Sequence, residues 1–242
     1  MLRDMRTRFG RTYWHYLVAI AWPMSHLLGI VLGFTLMNRI LPIGADSLVF
    51  ISTGALPYIL CLYPARQCAL SFMMGRAALS FPIVHTLDVI LARVILEVLS
   101  ACFVCLLFCI GLWMCGVDLM PQDMPQAITG VLAAIFFGIS VGLCIVILAG
   151  LTGIFGYGAA ILALVGLYLG SGVYLPTMGA GEQLRFWLNL NPMGHLVEWV
   201  RSAYFETHTV VELDKAYVIR LSAGALVCGL TFERLFRGRL IA

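Results

Sequence analysis

Charged residues are absent from a long central part of the chain. No Asp, Glu, Lys or Arg occurs between Asp123 and Glu182, where apolar residues and glycines predominate. About 20 helical residues cross a hydrocarbon core roughly 30 Å thick. This stretch is therefore long enough to cross a membrane, turn within Gly150–Gly156 and cross back. The pattern predicts a membrane protein whose function is exerted in the membrane.

Uncharged runs separated by charged breaks recur along the rest of the chain. With 62% hydrophobic and 11% charged residues, the composition is typical of polytopic helical membrane proteins. We therefore predict an all-α fold in which residues 1–242 form a single transmembrane domain. Its six predicted transmembrane helices comprise residues 16–37, 47–63, 89–114, 127–149, 154–174 and 217–232.

Three further segments contain both polar and apolar residues. In residues 1–14, apolar positions recur every three or four residues between arginines, which predicts an amphipathic helix on the membrane surface. Residues 64–88 read as a moderately polar cytoplasmic loop. Residues 175–215 carry too many large apolar groups for a free loop, so they predict a re-entrant helical hairpin between the fifth and sixth spans.

The basic residues are distributed unequally between the two sides of the membrane. Six crossings place both termini on one side, and cytoplasmic loops carry an excess of Lys and Arg. Both termini are therefore predicted to be cytoplasmic. The basic residues on that side are Arg3, Arg6, Arg8, Arg11, Arg66, Arg76, Arg93, Arg234, Arg237 and Arg239.

Several classes of active protein lack support in the sequence. The single lysine, Lys215, lies in Leu-Asp-Lys-Ala, so no phosphate-binding P-loop is present and ATP hydrolysis would need another subunit. Arg93 and Glu97 are the one credible pair for ion coupling, and a structural i,i+4 pair explains them equally well. The histidines and acidic residues show no catalytic spacing.

Metal binding and proton transfer are also less favoured than packing roles. Cys102, Cys105 and Cys109 share one helical face, but small polarizable packing residues are the better interpretation. A lone His26 within a span suits packing or hydrogen bonding better than a proton relay. We expect no metal site and no bound cofactor. Three small-xxx-small pairs predict close helix packing: Gly29/Gly33, Gly138/Gly142 and Gly166/Gly170.

Asn191-Pro192 opens a helical pattern with three polar residues in register. Asparagine caps helices and proline suits the first helical position. His195, Glu198 and Arg201 follow at i,i+3 spacing and would form one polar face. Two ligands are too few for a metal, so we interpret this face as stabilising a gate or facing a second copy of the chain.

Motifs at both ends of the chain resemble those of type-2 ABC exporter permeases, particularly the capsular polysaccharide export family. The segment Arg6-Thr7-Arg8-Phe9-Gly10-Arg11 leads into Trp22-Pro23 as the family's basic R-x-R-[FY]-G-R-like segment does. Ser171-Gly172 and Pro176 precede Asn191-Pro192, His195, Glu198, Arg201 and Tyr204-Phe205. This order is similar to the family's S-G-x-x-x-x-P followed by N-P-x-x-H-x-x-E-x-x-R-x-x-[YF]-F.

The resemblance implies an inner-membrane homodimer joined by two copies of a separate ATP-binding subunit, which would hold ATP and magnesium. The cargo would be a lipid-linked polysaccharide, with periplasmic or outer-membrane export components as further partners and no nucleic acid. Two sets of residues follow from the likeness. Contacts with the ATPase are assigned to Arg3, Arg6, Arg8, Arg11, Gly75, Arg76 and Pro82, and an outer gate to Pro176, Asn191, Pro192, His195, Glu198, Arg201, Tyr204 and Phe205.

Two features of the sequence concern the identity of the substrate: one departure from the family's pattern, and the positions of the aromatic residues. The chain has Tyr13-Trp14-His15-Tyr16 where relatives often have a Leu-Gly pair. Aromatic faces stack on the C–H surfaces of sugars, so a weakly charged aromatic channel would suit a glycan. The interfacial aromatic belt of membrane proteins explains these residues equally well. The candidate glycan contacts are Tyr13, Trp14, Tyr16 and Trp22 near the first span, and Trp187, Trp199, Tyr204 and Phe205 near the exit.

Three other functions remain open at this stage. An ABC permease of this type could export O-antigen, teichoic acid or a small hydrophobic drug. The chain could instead be a membrane enzyme or an assembly subunit of a larger complex. An ATP-dependent transport phenotype distinguishes a permease from the last two.

Overall fold

The computed structural model describes residues 13–36, 47–74, 84–173, 182–205 and 213–241. Within these ranges the chain forms eight helices and no strand, which confirms the all-α fold class. The helices are α1 (Tyr13–Leu36), α2 (Ser47–Met74), α3 (Thr86–Met114), α4 (Met124–Thr152), α5 (Ile154–Leu169), α6 (Glu182–Leu190), α7 (Pro192–Arg201) and α8 (Lys215–Ile241).

Four of the described helices are long and apolar enough to cross a membrane. They are α2, α3, α4 and α8, whereas α1 and α5 contain the shorter apolar segments Ile20–Phe34 and Ile154–Leu169. A helix of 16 residues, such as α5, is roughly 24 Å long. The described helices therefore make this a multi-pass membrane protein, with four crossings supported by length and composition.

Helix α2 lies at the centre of the bundle. Its side chains are buried along most of its length, including Ile51, Ile59 and Phe72. Helices α1, α3, α4 and α7 all pack against it. A helix that is apolar on every side is stable only when other helices or lipid enclose it. Here, other helices of the protein enclose α2.

Helices α2 and α4 approach each other closely at two glycines. A Cβ added to Gly138 would lie 2.8 Å from Cys61 Cα, and one added to Gly142 would lie 2.9 Å from Ala65 Cα. Small residues let helix backbones come together in membranes. The close packing predicted for this pair is thus confirmed. A Cβ at Gly29, Gly33 or Gly166 meets no described atom within 4 Å.

The surface of α3 is apolar on the side that faces away from the bundle. Leu91, Ile95, Leu99 and Phe103 are exposed at helical spacing, whereas the opposite face buries residues such as Val104. A helix with apolar side chains on both faces is suited to contact protein on one side and lipid on the other.

Helix α2 is longer than the pattern predicted. We predicted a span of 47–63 followed by a polar loop from residue 64, but the helix continues through Pro64 to Met74. Proline removes one helical hydrogen bond, and the loss is offset because Ala65, Cys68 and Phe72 are buried on the continuing helix. Of the predicted loop 64–88, residues 75–83 lie outside the described residues.

The other helix ends differ from the predicted ones for local reasons. Helix α8 continues past residue 232 because Glu233 and Arg237 form a two-bond ion pair, both N–O distances being 3.0 Å. Helix α5 ends at Leu169 rather than residue 174, since Gly170 and Gly172 follow. In α3 the predicted Arg93–Glu97 pair is present at 3.2 Å.

Candidate functional site

The hairpin between α5 and α8 contains two short helices with different surroundings. In α6, most of the described side chains are exposed, whereas all ten residues of α7 are buried. Helix α7 nevertheless contains His195, Glu198 and Arg201. Polar groups inside a protein are costly unless they are hydrogen-bonded, so the partners of α7 define the candidate site.

Asn191 connects the start of α7 to the end of α5. Its Oδ1 accepts a hydrogen bond from the Met193 amide at 2.9 Å, which is a helix cap, and Pro192 follows at the first helical position. Its Nδ2 donates to the Leu167 carbonyl at 2.7 Å. That carbonyl belongs to the last turn of α5, where intrahelical donors run out. One side chain therefore satisfies both helix ends.

Arg201 connects the end of α7 to α2 and to the turn that follows α5. Its guanidinium donates to the Gly172 carbonyl at 3.0 Å and to the Phe50 carbonyl at 3.4 Å. Its Cζ lies 3.8 Å from the centre of the Phe50 ring, a cation–π contact. The side chain is only 4% exposed. Arg201 is thus a buried cation that joins three segments of the chain.

Two glycines make room for the Arg201 contacts. Gly172 has a φ of 74°, a left-handed conformation that side chains disfavour, and its carbonyl is the one that Arg201 binds. A Cβ on Gly54 would lie 2.6 Å from Arg201 Nη2. The guanidinium therefore fits against α2 because residue 54 has no side chain.

Glu198 lies one turn before Arg201 and is also buried, with 6% of its surface exposed. Burial raises the pKa of the Glu198 carboxyl to about 7, and the Arg201 guanidinium opposes this rise. Desolvation disfavours the charged form of an acid, whereas a nearby cation favours it. Glu198 is consequently an acid of α7 that gains or loses its proton near neutral pH.

His195 forms hydrogen bonds with the segments that precede and follow α7. Its Nε2 lies 2.8 Å from the Asn189 carbonyl, and its Nδ1 accepts from the Asp214 amide at 3.3 Å. These partners suit a neutral ring that carries its proton on Nε2. Tyr217 of α8 packs edge-on against the ring and donates its hydroxyl to the Leu190 carbonyl at 2.9 Å.

A second set of contacts, the Lys215 network, joins the end of α7 to α4 and α8. Lys215 Nζ donates to Gln126 Oε1 at 2.7 Å, and Gln126 Nε2 donates to Ser202 Oγ at 2.9 Å. Lys215 Nζ also lies 5.3 Å from the centre of the Trp199 ring. Lys215 is exposed and Gln126 and Ser202 are partly buried. This network therefore lies closer to solvent than Arg201.

The predicted gate residues are largely gathered in one place. Asn191, Pro192, His195, Glu198 and Arg201 all belong to α7 or its cap, as the motif predicted. Tyr204 and Phe205 follow directly and are partly buried, and the Phe205 ring lies 6.1 Å from that of Phe50. Pro176 lies outside the described residues.

The predicted ATPase contacts and most of the predicted glycan contacts near α1 lie outside the described side chains. All seven of the predicted ATPase contacts lie outside the described residues. Tyr13 and Tyr16 belong to α1, as does Trp14, but their side chains are not described. The Trp22 side chain is 63% exposed on the surface of α1.

Some important residues had no signal in the sequence. Phe50 and Gly54 lie in an apolar helix and resemble ordinary packing residues, and Gln126 is a polar residue in the first turn of α4. Only their contacts with α7 distinguish them. Among the described residues, no three His, Cys, Asp or Glu side chains are close enough to hold a metal ion.

Comparison with known proteins identifies the family. The model of the ABC-2 type transporter family matches residues 69–205, more than half of the chain. The chain belongs to the ABC-2 type transporter family. This result confirms the resemblance inferred from the two motifs, and the matched range includes α3 to α7 with Arg201 and Gly172, whereas Phe50 and Gly54 precede it.

Individual relatives are similar over nearly the whole chain. The polysialic acid transport protein KpsM of Escherichia coli is 27% identical over 235 residues, which are 96% of this chain and 90% of the relative. The capsule polysaccharide export inner-membrane protein CtrC of Neisseria meningitidis serogroup B is 26% identical over 237 residues, 98% of this chain and 89% of that one. The sequence similarity to these relatives therefore extends over nearly the whole chain.

Proposed function

We propose that the chain is the permease subunit of an ATP-driven exporter that moves a lipid-linked capsular or related polysaccharide across the inner membrane. The observation that carries this proposal is the full-length similarity to KpsM and CtrC, whose names specify polysialic acid transport and capsule polysaccharide export. Membership of the ABC-2 type transporter family supports transport rather than enzymatic chemistry.

The proposed topology has six crossings with both termini in the cytoplasm. Helices α1 and α5 supply the two crossings in addition to the four long ones, since both contain apolar segments. The excess of arginines near the termini supports the orientation. The proposal retains the amphipathic interface helix that the sequence predicts for residues 1–14, of which 1–12 lie outside the described residues, and it takes α6 and α7 as the re-entrant hairpin at the outer face.

The working assembly is a homodimer with two separate ATP-binding subunits. The chain has no P-loop lysine, so ATP and magnesium bind to the partner. Contacts with that partner are made by Arg3, Arg6, Arg8 and Arg11, together with Gly75, Arg76 and Pro82. The proposed function of α7 is to hold the outer gate through the Arg201 contacts.

The test is purification of the tagged protein from its native membrane in mild detergent, followed by mass spectrometry. We expect a stoichiometric partner with a P-loop, and ATPase activity that is lost when Arg8 and Arg11 are changed to Ala. Deleting the partner's gene should abolish surface polysaccharide. Export that continues after every candidate ATPase has been deleted would refute the proposal. Export of O-antigen, teichoic acid or a drug in place of capsule would refute the substrate alone.

A further inference from the structure

A positively charged side chain lies inside the helical bundle on α2. Arg66 belongs to Leu48–Leu70, a segment long and apolar enough to cross a membrane. Its side chain is partly buried, and no described carboxylate lies within ion-pair distance of it. Cations within membrane helices are costly and usually mark the path of a substrate or ion. Arg66 therefore needs an explanation.

Two other arginines of the described membrane helices, Arg93 and Arg237, differ from Arg66, and Arg234 and Arg239 of α8 are exposed. Arg93 pairs with Glu97 on α3 at 3.2 Å, and Arg237 pairs with Glu233 on α8 at 3.0 Å. Each of these arginines has its counter-charge one turn away on its own helix. A structural role accounts for them, but the same account does not cover Arg66.

The Tyr63 ring of α2 contacts both Arg66 and a polar residue of α1. The Arg66 Cζ lies 5.3 Å from the centre of the Tyr63 ring, and the His26 ring of α1 lies 6.4 Å from the same ring, edge-on. Arg66 and His26 therefore both lie next to Tyr63, where α1 packs against α2.

His26 provides a polar atom beside Tyr63. Its Nε2 is buried, and no hydrogen-bond partner for it exists among the described residues. The ring also lies 5.6 Å from Tyr58 and 6.0 Å from Tyr168. Those two tyrosine rings are stacked 3.4 Å apart and buried, so they form an aromatic wall behind His26.

We propose that Arg66, Tyr63 and His26 form an anion subsite that binds a carboxylate or phosphate of the exported substrate. A guanidinium matches the two oxygens of such groups, and the imidazole of His26 supplies a further hydrogen bond. The aromatic surface beside them suits the C–H faces of a sugar. This inference rests on the proposed function and specifies that its substrate is acidic at this site.

The position of the subsite indicates where it acts during export. Arg66 lies four residues before Leu70, toward the end of the membrane segment that the proposed topology places at the cytoplasm. A low-dielectric interior strengthens the attraction between a cation and an anion. The subsite therefore meets the anionic group as the substrate leaves the cytoplasmic side.

The test measures binding to the purified full-length protein in phosphatidylcholine nanodiscs. The probes are a sialic acid oligomer, a neutral maltose oligomer of the same length, and phosphatidylglycerol. The variants are Arg66→Gln and Arg66→Lys, with Arg234→Gln as the matched control because Arg234 is an exposed arginine of α8. His26→Phe keeps an aromatic ring but removes the nitrogen atoms.

We expect Arg66→Gln to weaken binding of the acidic oligomer about tenfold or more, since hydrogen bonds to charged groups are the strong ones. Arg66→Lys should lose less, His26→Phe about threefold, and Arg234→Gln nothing, while the neutral oligomer is unaffected. If only phosphatidylglycerol binding depends on Arg66, the subsite stands and its anion is a lipid phosphate.

Two results would overturn the subsite. One is wild-type binding of both anionic probes by correctly folded Arg66→Gln, and the other is equal loss of acidic and neutral oligomers. If Arg66→Gln fails to fold, unchanged anion binding by His26→Phe would decide against the subsite. The proposed function is judged separately by the copurifying ATPase, so failure of the subsite leaves that result intact.

Discussion

The two sets of contacts that hold α7 differ in their distance from solvent. On the α2 and α5 side, Arg201 is buried against two carbonyls and an aromatic ring. On the α4 and α8 side, the exposed Lys215 reaches Gln126. Buried charges that lose a partner are costly, whereas exposed charge contacts contribute little. We therefore expect α7 to remain with α2 and α5 and to separate more readily from α4 and α8.

Replacing Arg201 should produce the largest effect. Arg201→Ala leaves two buried carbonyls without their donor and a cavity beside Phe50, so we expect a loss of about 3–5 kcal/mol in stability. Polysaccharide export per inserted molecule should fall at least tenfold. The measurements are thermal unfolding in nanodiscs and surface polysaccharide normalised to membrane protein. Normal export by Arg201→Ala would remove the gate assignment.

Glu198 should give a pH-dependent effect of intermediate size. Its pKa rises from 4.5 to about 7 on burial, so the folded state binds more protons and loses stability as pH increases through this window. Glu198→Gln should remove on the order of 2 kcal/mol of this loss between pH 5 and pH 8. Glu182→Gln, at an exposed site of α6, is the control. Parallel pH curves for wild type and Glu198→Gln would contradict this.

The Asn191 cap of α7 should contribute about 1–2 kcal/mol to the free energy of unfolding. Asn191→Ala removes the hydrogen bond to the Met193 amide and leaves the Leu167 carbonyl unpaired. Asn191→Asp keeps the capping oxygen but loses the donor to Leu167. Thermal unfolding should therefore place Asn191→Asp between wild type and Asn191→Ala, and equal stability of the two variants would show that only one bond matters.

Filling the space at Gly54 should reduce the free energy of unfolding by about 1 kcal/mol. Gly54→Ala places a methyl group 2.6 Å from Arg201 Nη2, and the hydrogen-bonded guanidinium has to move, which outweighs the gain in helix propensity. The control is Gly224→Ala on α8, where no atom lies within 4 Å. We expect that control to be neutral or stabilising, and a similar gain at Gly54 would contradict the tight fit.

The Lys215 network should show the smallest effect. Lys215→Met removes the bond to Gln126 and the contact with Trp199, at a cost below about 1 kcal/mol because the ammonium is exposed. A double-mutant cycle with Gln126→Ala measures the coupling directly. A cost equal to that of Arg201→Ala would eliminate the difference between the two sides of α7.

The sequence predicted the positions of α7 more accurately than the ends of α2 and α8. Asn191-Pro192 is a local signal, since a cap and its proline act on neighbouring amides. Pro64 and Arg66 suggested the end of a span, yet α2 continues to Met74. Tertiary burial of the following apolar residues outweighs the missing hydrogen bond at Pro64, and no local pattern records that burial.

The amino-acid sequence alone determined the class of this protein. Long uncharged runs cannot be solvated as extended backbone in a membrane, so they form helices, and the two terminal motifs were sufficient to indicate the family. The tertiary structure decided which apolar helix is central, because hydrophobicity does not mark it: α3 and α4 are both more apolar than the enclosed α2. It also decided that Gly54 makes room for Arg201 and that Arg66 and His26 both lie beside Tyr63, since contacts between distant segments depend on packing that composition does not encode.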